Sequence, residues 1–201
     1  MLLHVSSQPD ILEVISDLSN DEVFTPPRVA GAVLDLLPQE VWTNPDLRWL
    51  DPGTKTGVFL REVAKRLMVG LVEAYPDESE RLAHILTNMV YGFAITDLTS
   101  LMARRTLYCS KDASGQHSIV KLPSSSGNVW MERVEHSYLD GRCLECGASG
   151  AQLERENREN HAYGFIHDAG REAIRESVDM KFDVIVGNPP YQMEADESGK
   201  N

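Results

Sequence analysis

The chain has 201 residues, 42% of them hydrophobic, which is enough for one packed domain with room for a small insert. A formal charge of −12 excludes a surface that grips a phosphate backbone unaided, because that affinity comes largely from Lys and Arg. Three cysteines are too few for a disulfide framework, no apolar run approaches membrane-spanning length, and the first residues lack a basic segment followed by a long apolar one, so the expectation is a cytoplasmic protein without a membrane partner.

Residues 1–22 read as an N-terminal extension with one short helix around Ile11 to Leu18. Phe24-Thr25-Pro26-Pro27 then reads as a helix start. Thr25 is placed as N-cap and Pro26 at the first helical position, with Val29, Ala30, Val33, Leu34 and Leu37 following at helical spacing. Leu47 to Asp51 is a short predicted strand, and Gly57 to about Tyr75 a helix with an inward stripe of Leu60, Val63, Ala64, Leu67 and Leu71. Between them, Asp51-Pro52-Gly53-Thr54-Lys55-Thr56-Gly57 makes a strand, a glycine-containing turn and a helix N-terminus. Such a turn lets backbone approach a ligand and turns free N–H groups toward its carboxylate, while Asp51 would meet its ammonium.

Asp77 to Asn88 reads as a helix and Met89 to Ile95 as the second strand, with Asp97 as a cap for the helix that runs from Leu98 to about Tyr108. Residues 110–160 break this rhythm. Ser118 to Leu122 and Val129 to Tyr138 read as two strands of an insert, joined by the turn-rich Pro123 to Asn128 and followed by Cys143-Leu144-Glu145-Cys146-Gly147.

A Cys-x-x-Cys-Gly turn after a strand presents two thiolates to zinc. His161 and His167 complete the spacing of a zinc finger, but residues 161–167 read as the third core strand. Six steps of about 3.3 Å would hold the two imidazoles nearly 20 Å apart, too far for one ion. The ligand set expected is therefore Cys109, His136, Cys143 and Cys146, a closed structural zinc site that pins the insert to the end of the preceding helix. His161 is the reserve ligand, and unmetallated buried thiols are the alternative.

Asp168 follows the third strand, ahead of a helix from about Arg171 to Val178. Phe182 to Gly187 is nearly all apolar and reads as a fourth strand buried on both faces, ending abruptly at Asn188-Pro189-Pro190-Tyr191. Two prolines stiffen the exit from the sheet and leave main-chain carbonyls free for a ligand. If the Asn188 side-chain carbonyl and the Pro189 main-chain carbonyl both accept from an exocyclic amine, its nitrogen becomes more tetrahedral and is aimed for attack. Tyr191 offers a face on which a base could stack.

The stretch ending in Asn188-Pro189-Pro190-Tyr191 resembles motif IV of S-adenosylmethionine-dependent amino-methyltransferases. Phe24-Thr25-Pro26-Pro27 resembles motif X, which contacts the methionine part of that cofactor. Asp51-Pro52-Gly53 through Gly57 to Phe59-Leu60 resembles motif I. Two positions depart from the pattern: Lys55 stands where motif I has its first glycine, and Ala94 where an acidic residue would bind the ribose. Asp97 is then either a substitute ribose ligand or a plain helix cap. Asp168 falls where a motif III carboxylate would accept from the cofactor's adenine amine, or caps its own helix.

The order of motifs resembles the γ arrangement of N6-adenine DNA methyltransferases, especially the methylase part of restriction-modification enzymes. The resemblance implies an α/β, Rossmann-like S-adenosylmethionine-dependent methyltransferase fold, truncated after the fourth strand, with a small zinc-knuckle β insert. The core would occupy residues 23–109 (motifs X, I and II), the insert 110–160, and the remaining core with a polar tail 161–201. The family continues beyond motif IV with further strands and a target-recognition domain. The expected partners are thus DNA, held through protein outside this chain, and a C-terminal half, and the chain alone is expected to methylate poorly. Two other readings stay open: a non-catalytic zinc-stapled module that binds cofactor or partner, and a methyltransferase acting on RNA or a protein glutamine.

Overall fold

A computed structural model of the chain describes residues 24–94, 96–131, 134–147, 150, 166–177 and 181–188. The expected N-terminal helix, His161, Pro189, Pro190, Tyr191 and the polar tail lie outside the described residues. The core sheet contains β1 (Trp49–Thr54), β2 (Val90–Ala94), β3 (Val129–Met131) and β6 (Val184–Ile185), all parallel, in the order β3-β2-β1-β6. Two short antiparallel strands, β4 (Tyr138–Leu139) and β5 (Arg142–Cys143), form a separate ribbon. This mixed α/β architecture with a parallel sheet fits the methyltransferase fold expected from the sequence.

Helix α1 (Pro27–Leu34) and helix α2 (Val58–Gly70) lean on one face of the sheet. The predicted stripe of α2 is buried at every position, from Leu60 through Val63, Ala64 and Leu67 to Leu71 just past the helix end. Helix α3 (Glu78–His84) begins where the Asp77 carboxylate accepts from the Glu80 N–H at 2.9 Å, and a π-helical turn at Ile85–Met89 delivers the chain into β2. Along β1 and β2 successive side chains alternate between two apolar clusters. Trp49, Val90 and Ala94 join the helices, while Leu50, Tyr91 and Phe93 meet Trp130 and Phe182 on the opposite face.

Helix α4 (Asp97–Tyr108) is capped by Thr96, not by Asp97: Thr96 and Thr99 exchange side-chain and backbone hydrogen bonds reciprocally, and Asp97 is the first helical residue.

The third core strand is β3, formed by residues expected to belong to the insert. Gly92, Phe93 and Ala94 pair in parallel with Val129, Trp130 and Met131. The Asn128 side-chain amide fastens it by donating to the main-chain oxygens of Leu86, Thr87 and Val90 at 3.1, 2.8 and 3.3 Å, and Arg104 donates to the Val129 carbonyl at 3.0 Å. Residues 118–122, expected as a strand, form no ladder. The end of the segment expected as the third strand, Ile166 and His167, is a turn before helix α5 (Asp168–Ser177).

The fourth strand pairs with β1 as Trp49 with Val184 and Leu50 with Ile185. Burial on both faces does not hold for it, since Val186 is buried while Ile185 is 60% exposed. Among the described residues this strand is the sheet's edge.

Candidate functional site

The chain leaves β1 toward β2 on one side and pairs with β6 on the other, so the order of the sheet reverses at β1. Crevices at such a point, beyond the carboxyl ends of the strands, are where open parallel sheets bind ligands. A shallow pocket, open to solvent, lies there, lined by Thr25, Asp51, Gly53, Lys55, Thr56, Gly57, Val58, Phe59 and Asn188. Residues 163 positions apart in sequence thus face one space: the Asn188 amide nitrogen donates to Thr25 Oγ1 at 3.1 Å.

Local chemistry explains the shape. Pro52 has no N–H to give the ladder, and the β1–β2 register shifts between Asp51 and Thr54, so the strand end bows away from its neighbour. Gly57 has φ +75°, and a Cβ on it would lie 3.0 Å from the Ala103 Cα; only glycine gives both the left-handed turn and the close approach of α2 to α4. Lys55 is not among the residues of positive φ, so the turn at that position does not call for the glycine that motif I carries. Its side chain lines the pocket.

Asp51 is 3% exposed. Burial penalises its charged form and pushes the pKa from 3.8 to about 7, against the Gly53 N–H, which donates to Oδ1 at 3.3 Å, and the nearby Lys55 charge. A buried carboxyl of this kind is poised to ionise against an incoming cation. Gly187 closes the wall beside it, with room for no side chain: a Cβ there would sit 2.6 Å from Asp51 Oδ1. Nothing in the sequence pointed to Gly187 beyond its place before Asn188.

Thr25 is not an N-cap. Pro26 occupies that position without a side-chain cap bond and α1 starts at Pro27, which frees the Thr25 hydroxyl to meet Asn188. Phe24 is half-buried and Pro52 sits within β1, neither in the pocket lining. Asp97 is exposed in the first turn of α4, past the carboxyl end of β2 and outside the lining. Asp168 is also outside the lining. Its carboxylate pairs with Arg171 and its N–H donates to Glu145 at 2.5 Å, so it is held against the cysteine turn.

That turn forms a second candidate site. Asp140 (φ 50°) and Gly141 (φ 77°) make the two-residue loop between β4 and β5, which brings Cys143 to the start of the turn, and the Gly147 N–H donates to the Cys143 carbonyl at 2.9 Å. His136, Cys143, Cys146 and His167 offer ligand atoms that all lie within 4.8 Å of one another. Cys143 Sγ is 3.4 Å from His167 Nε2, and Cys146 Sγ is 3.4 Å from His136 Nδ1. The edge between a sulfur and a nitrogen on a tetrahedral zinc ion is about 3.5 Å, so the donor set fits that ion.

Cys109 is not in this cluster, which corrects the expected ligand set. It caps the end of α4 in a left-handed conformation (φ 60°) with an exposed thiol. The fourth member of the cluster is His167, fully buried. The sequence contained its signal in the Cys-x-x-Cys…His spacing, but placing it on an extended strand with His161 set it aside. Burial raises the Cys143 thiol, yet the N–H groups of Cys146 and Glu145 and the rings of His136 and His167 outweigh this and bring it down to about 5.

The family described as Eco57I restriction-modification methylase matches residues 88–201. A protein of Mycoplasma pneumoniae described as an uncharacterized adenine-specific methylase is 40% identical over 207 aligned residues, covering 92% of this chain and 49% of the relative. The chain thus spans about half the length of the curated relative it matches. No solved structure matches it. Among the described residues, no helix is long and apolar enough to cross a membrane.

Proposed function

Because the chain belongs to the Eco57I restriction-modification methylase family, we propose that it carries the cofactor pocket and catalytic motif of an enzyme that methylates adenine N6 in DNA with S-adenosylmethionine. The observation that carries this reading is the convergence of Thr25, Asp51, Gly57 and Asn188, from three separate motifs, on one pocket at the reversal point of the sheet. Asp51, ionised on binding, would take the ammonium of the methionine part, and the turn leading to Gly57 its carboxylate. Asp97 is the acidic residue nearest in sequence to the end of β2 that could reach the ribose.

When bound there, S-adenosylmethionine would supply an activated methyl group to the amine nitrogen, with a proton lost from that nitrogen to solvent and a thioether left behind. The chain's own part is to hold the amine. Asn188 Oδ1 and the Pro189 carbonyl would accept from its two N–H bonds, and Tyr191 would stack on the base, which must be flipped out of the duplex to arrive. The charge of −12 supports a reading in which protein outside this chain grips the DNA and the chain by itself would methylate poorly.

We also infer a structural zinc ion on His136, Cys143, Cys146 and His167. It would tie the β4–β5 ribbon to the first turn of α5.

Calorimetric titration of the chain with S-adenosylmethionine tests the main reading. Saturable binding abolished by Asp51→Ala supports it. A well-folded chain that binds no cofactor would leave the non-catalytic module as the better account.

A further inference from the structure

Two stretches of this chain have the same construction. Thr25 precedes Pro26-Pro27, and Asn188 precedes Pro189-Pro190. A residue before proline is pushed toward extended backbone, and proline fixes its own φ; Pro26 has φ −64° and ψ 148°. The two polar side chains are therefore presented from stiff segments. They meet at 3.1 Å, with the Asn188 Nδ2 donating to the Thr25 hydroxyl oxygen. Thr25 is buried, and its hydroxyl caps no helix.

A primary amide has one accepting end and one donating end, and it can turn either toward a substrate. With the NH2 end toward an amine, donor would face donor and the amine would be repelled. With Oδ1 toward it, the amine is held and its lone pair directed. The other end of the amide meets the Thr25 hydroxyl, a group able to accept or donate; in the arrangement observed it accepts from the NH2 end and leaves Oδ1 for the amine.

We propose that Thr25 is the positioning residue for Asn188: its hydroxyl oxygen accepts from the amide NH2 and so turns the carbonyl oxygen toward the incoming amine. This deepens the methyltransferase reading and rests on it. It also gives the N-terminal segment a role in the transfer step, through Asn188, besides any contact with the cofactor.

The test compares Thr25→Val, which keeps the shape and removes the hydroxyl, with Thr25→Ser, which keeps the hydroxyl. Methylation of adenine-containing DNA is measured in the enzyme containing this chain and whatever protein holds DNA for it. Loss of one net hydrogen bond of orientation corresponds to a fall in kcat of about three- to tenfold for Thr25→Val. KM for cofactor and DNA should stay within about twofold, with Thr25→Ser close to the parent rate. An unchanged kcat in Thr25→Val, or a change confined to cofactor KM, overturns the proposal.

A readout without turnover separates this from the function itself. In the 201-residue chain, the Asn188 side-chain NH2 signals, identified by their loss in Asn188→Asp, should exchange with water at least several times faster in Thr25→Val than in the parent or Thr25→Ser. If the parent methylates no DNA, the methyltransferase reading fails, and the exchange measurement alone decides the Thr25–Asn188 coupling. Equal exchange in all three proteins overturns it.

Discussion

Gly187 lies so close to Asp51 that a Cβ built on it would be 2.6 Å from Oδ1 and 3.5 Å from Pro52 Cδ. The last residue before the Asn-Pro-Pro-Tyr sequence and the acid of the glycine-containing turn are thus packed as one wall. A methyl group at Gly187 must displace the carboxylate. Gly187→Ala is expected to weaken S-adenosylmethionine binding at least about tenfold and to destabilise the chain by about 1–3 kcal/mol through overpacking. Calorimetry and thermal melting measure the two effects. Unchanged affinity would remove Asp51 from the cofactor site.

The raised pKa of Asp51, about 7, predicts the pH dependence of binding. Only the ionised carboxylate pairs with the cofactor's ammonium, so affinity should fall about tenfold per unit as pH drops below 7. Above about pH 8 it should fall again as a typical α-amino group loses its proton. A flat profile between pH 5 and about 7 contradicts the ion pair.

The same shift affects stability without ligand. The folded state holds the Asp51 proton more tightly than the unfolded chain, whose value is near 3.8. The resulting stability is complete below about pH 4 and is lost as pH rises through about 7, with a full effect on the order of 4 kcal/mol. Asp51→Asn should therefore raise Tm relative to the parent at pH 8 and lose that advantage toward pH 4. An equal Tm difference at both pH values would exclude a buried carboxyl as its source.

For the metal centre, the expected content is one zinc per chain, measured by atomic emission after purification without chelator. His167→Ala should lower zinc affinity by at least about a hundredfold, because one of four ligands is lost from a closed site. Cys109→Gly should keep the metal and raise stability by about 0.5–1 kcal/mol, since glycine takes φ 60° without the side-chain penalty. Loss of zinc on Cys109→Gly with full retention in His167→Ala would restore the ligand set expected from sequence.

Docking of β3 depends on the Asn128 amide and its three carbonyl acceptors. Asn128→Ala removes their common donor in a partly buried site and should cost about 1–3 kcal/mol, read as a lower midpoint in urea. A change below about 0.5 kcal/mol would mean that β3 is held by its ladder alone.

Local patterns determined much of this protein before any contact was known. The spacing from Leu60 to Leu71 fixed the buried face of α2, because a helix repeats every 3.6 residues wherever it is placed. Gly57 marked a left-handed turn with no room for a Cβ beside Ala103, and Pro52 a position that gives the ladder no N–H. The apolar run from Phe182 to Gly187 was legible as a strand, and Val184–Ile185 pair with β1. What the sequence could not convey were choices made between segments far apart.

Val129–Met131 looked like part of an insert, and it became the third core strand because Asn128 and Arg104 supply partners that local propensity does not encode. Thr25 looked like a helix cap, yet its hydroxyl went to Asn188, since a side-chain oxygen serves whichever donor the fold brings near. His167 took the place expected for Cys109 in the cysteine–histidine cluster for the same reason. Ligation needs atoms within a few ångströms in space, and only the turn at Ile166 and His167, in place of an extended strand, brought that imidazole to the two thiols.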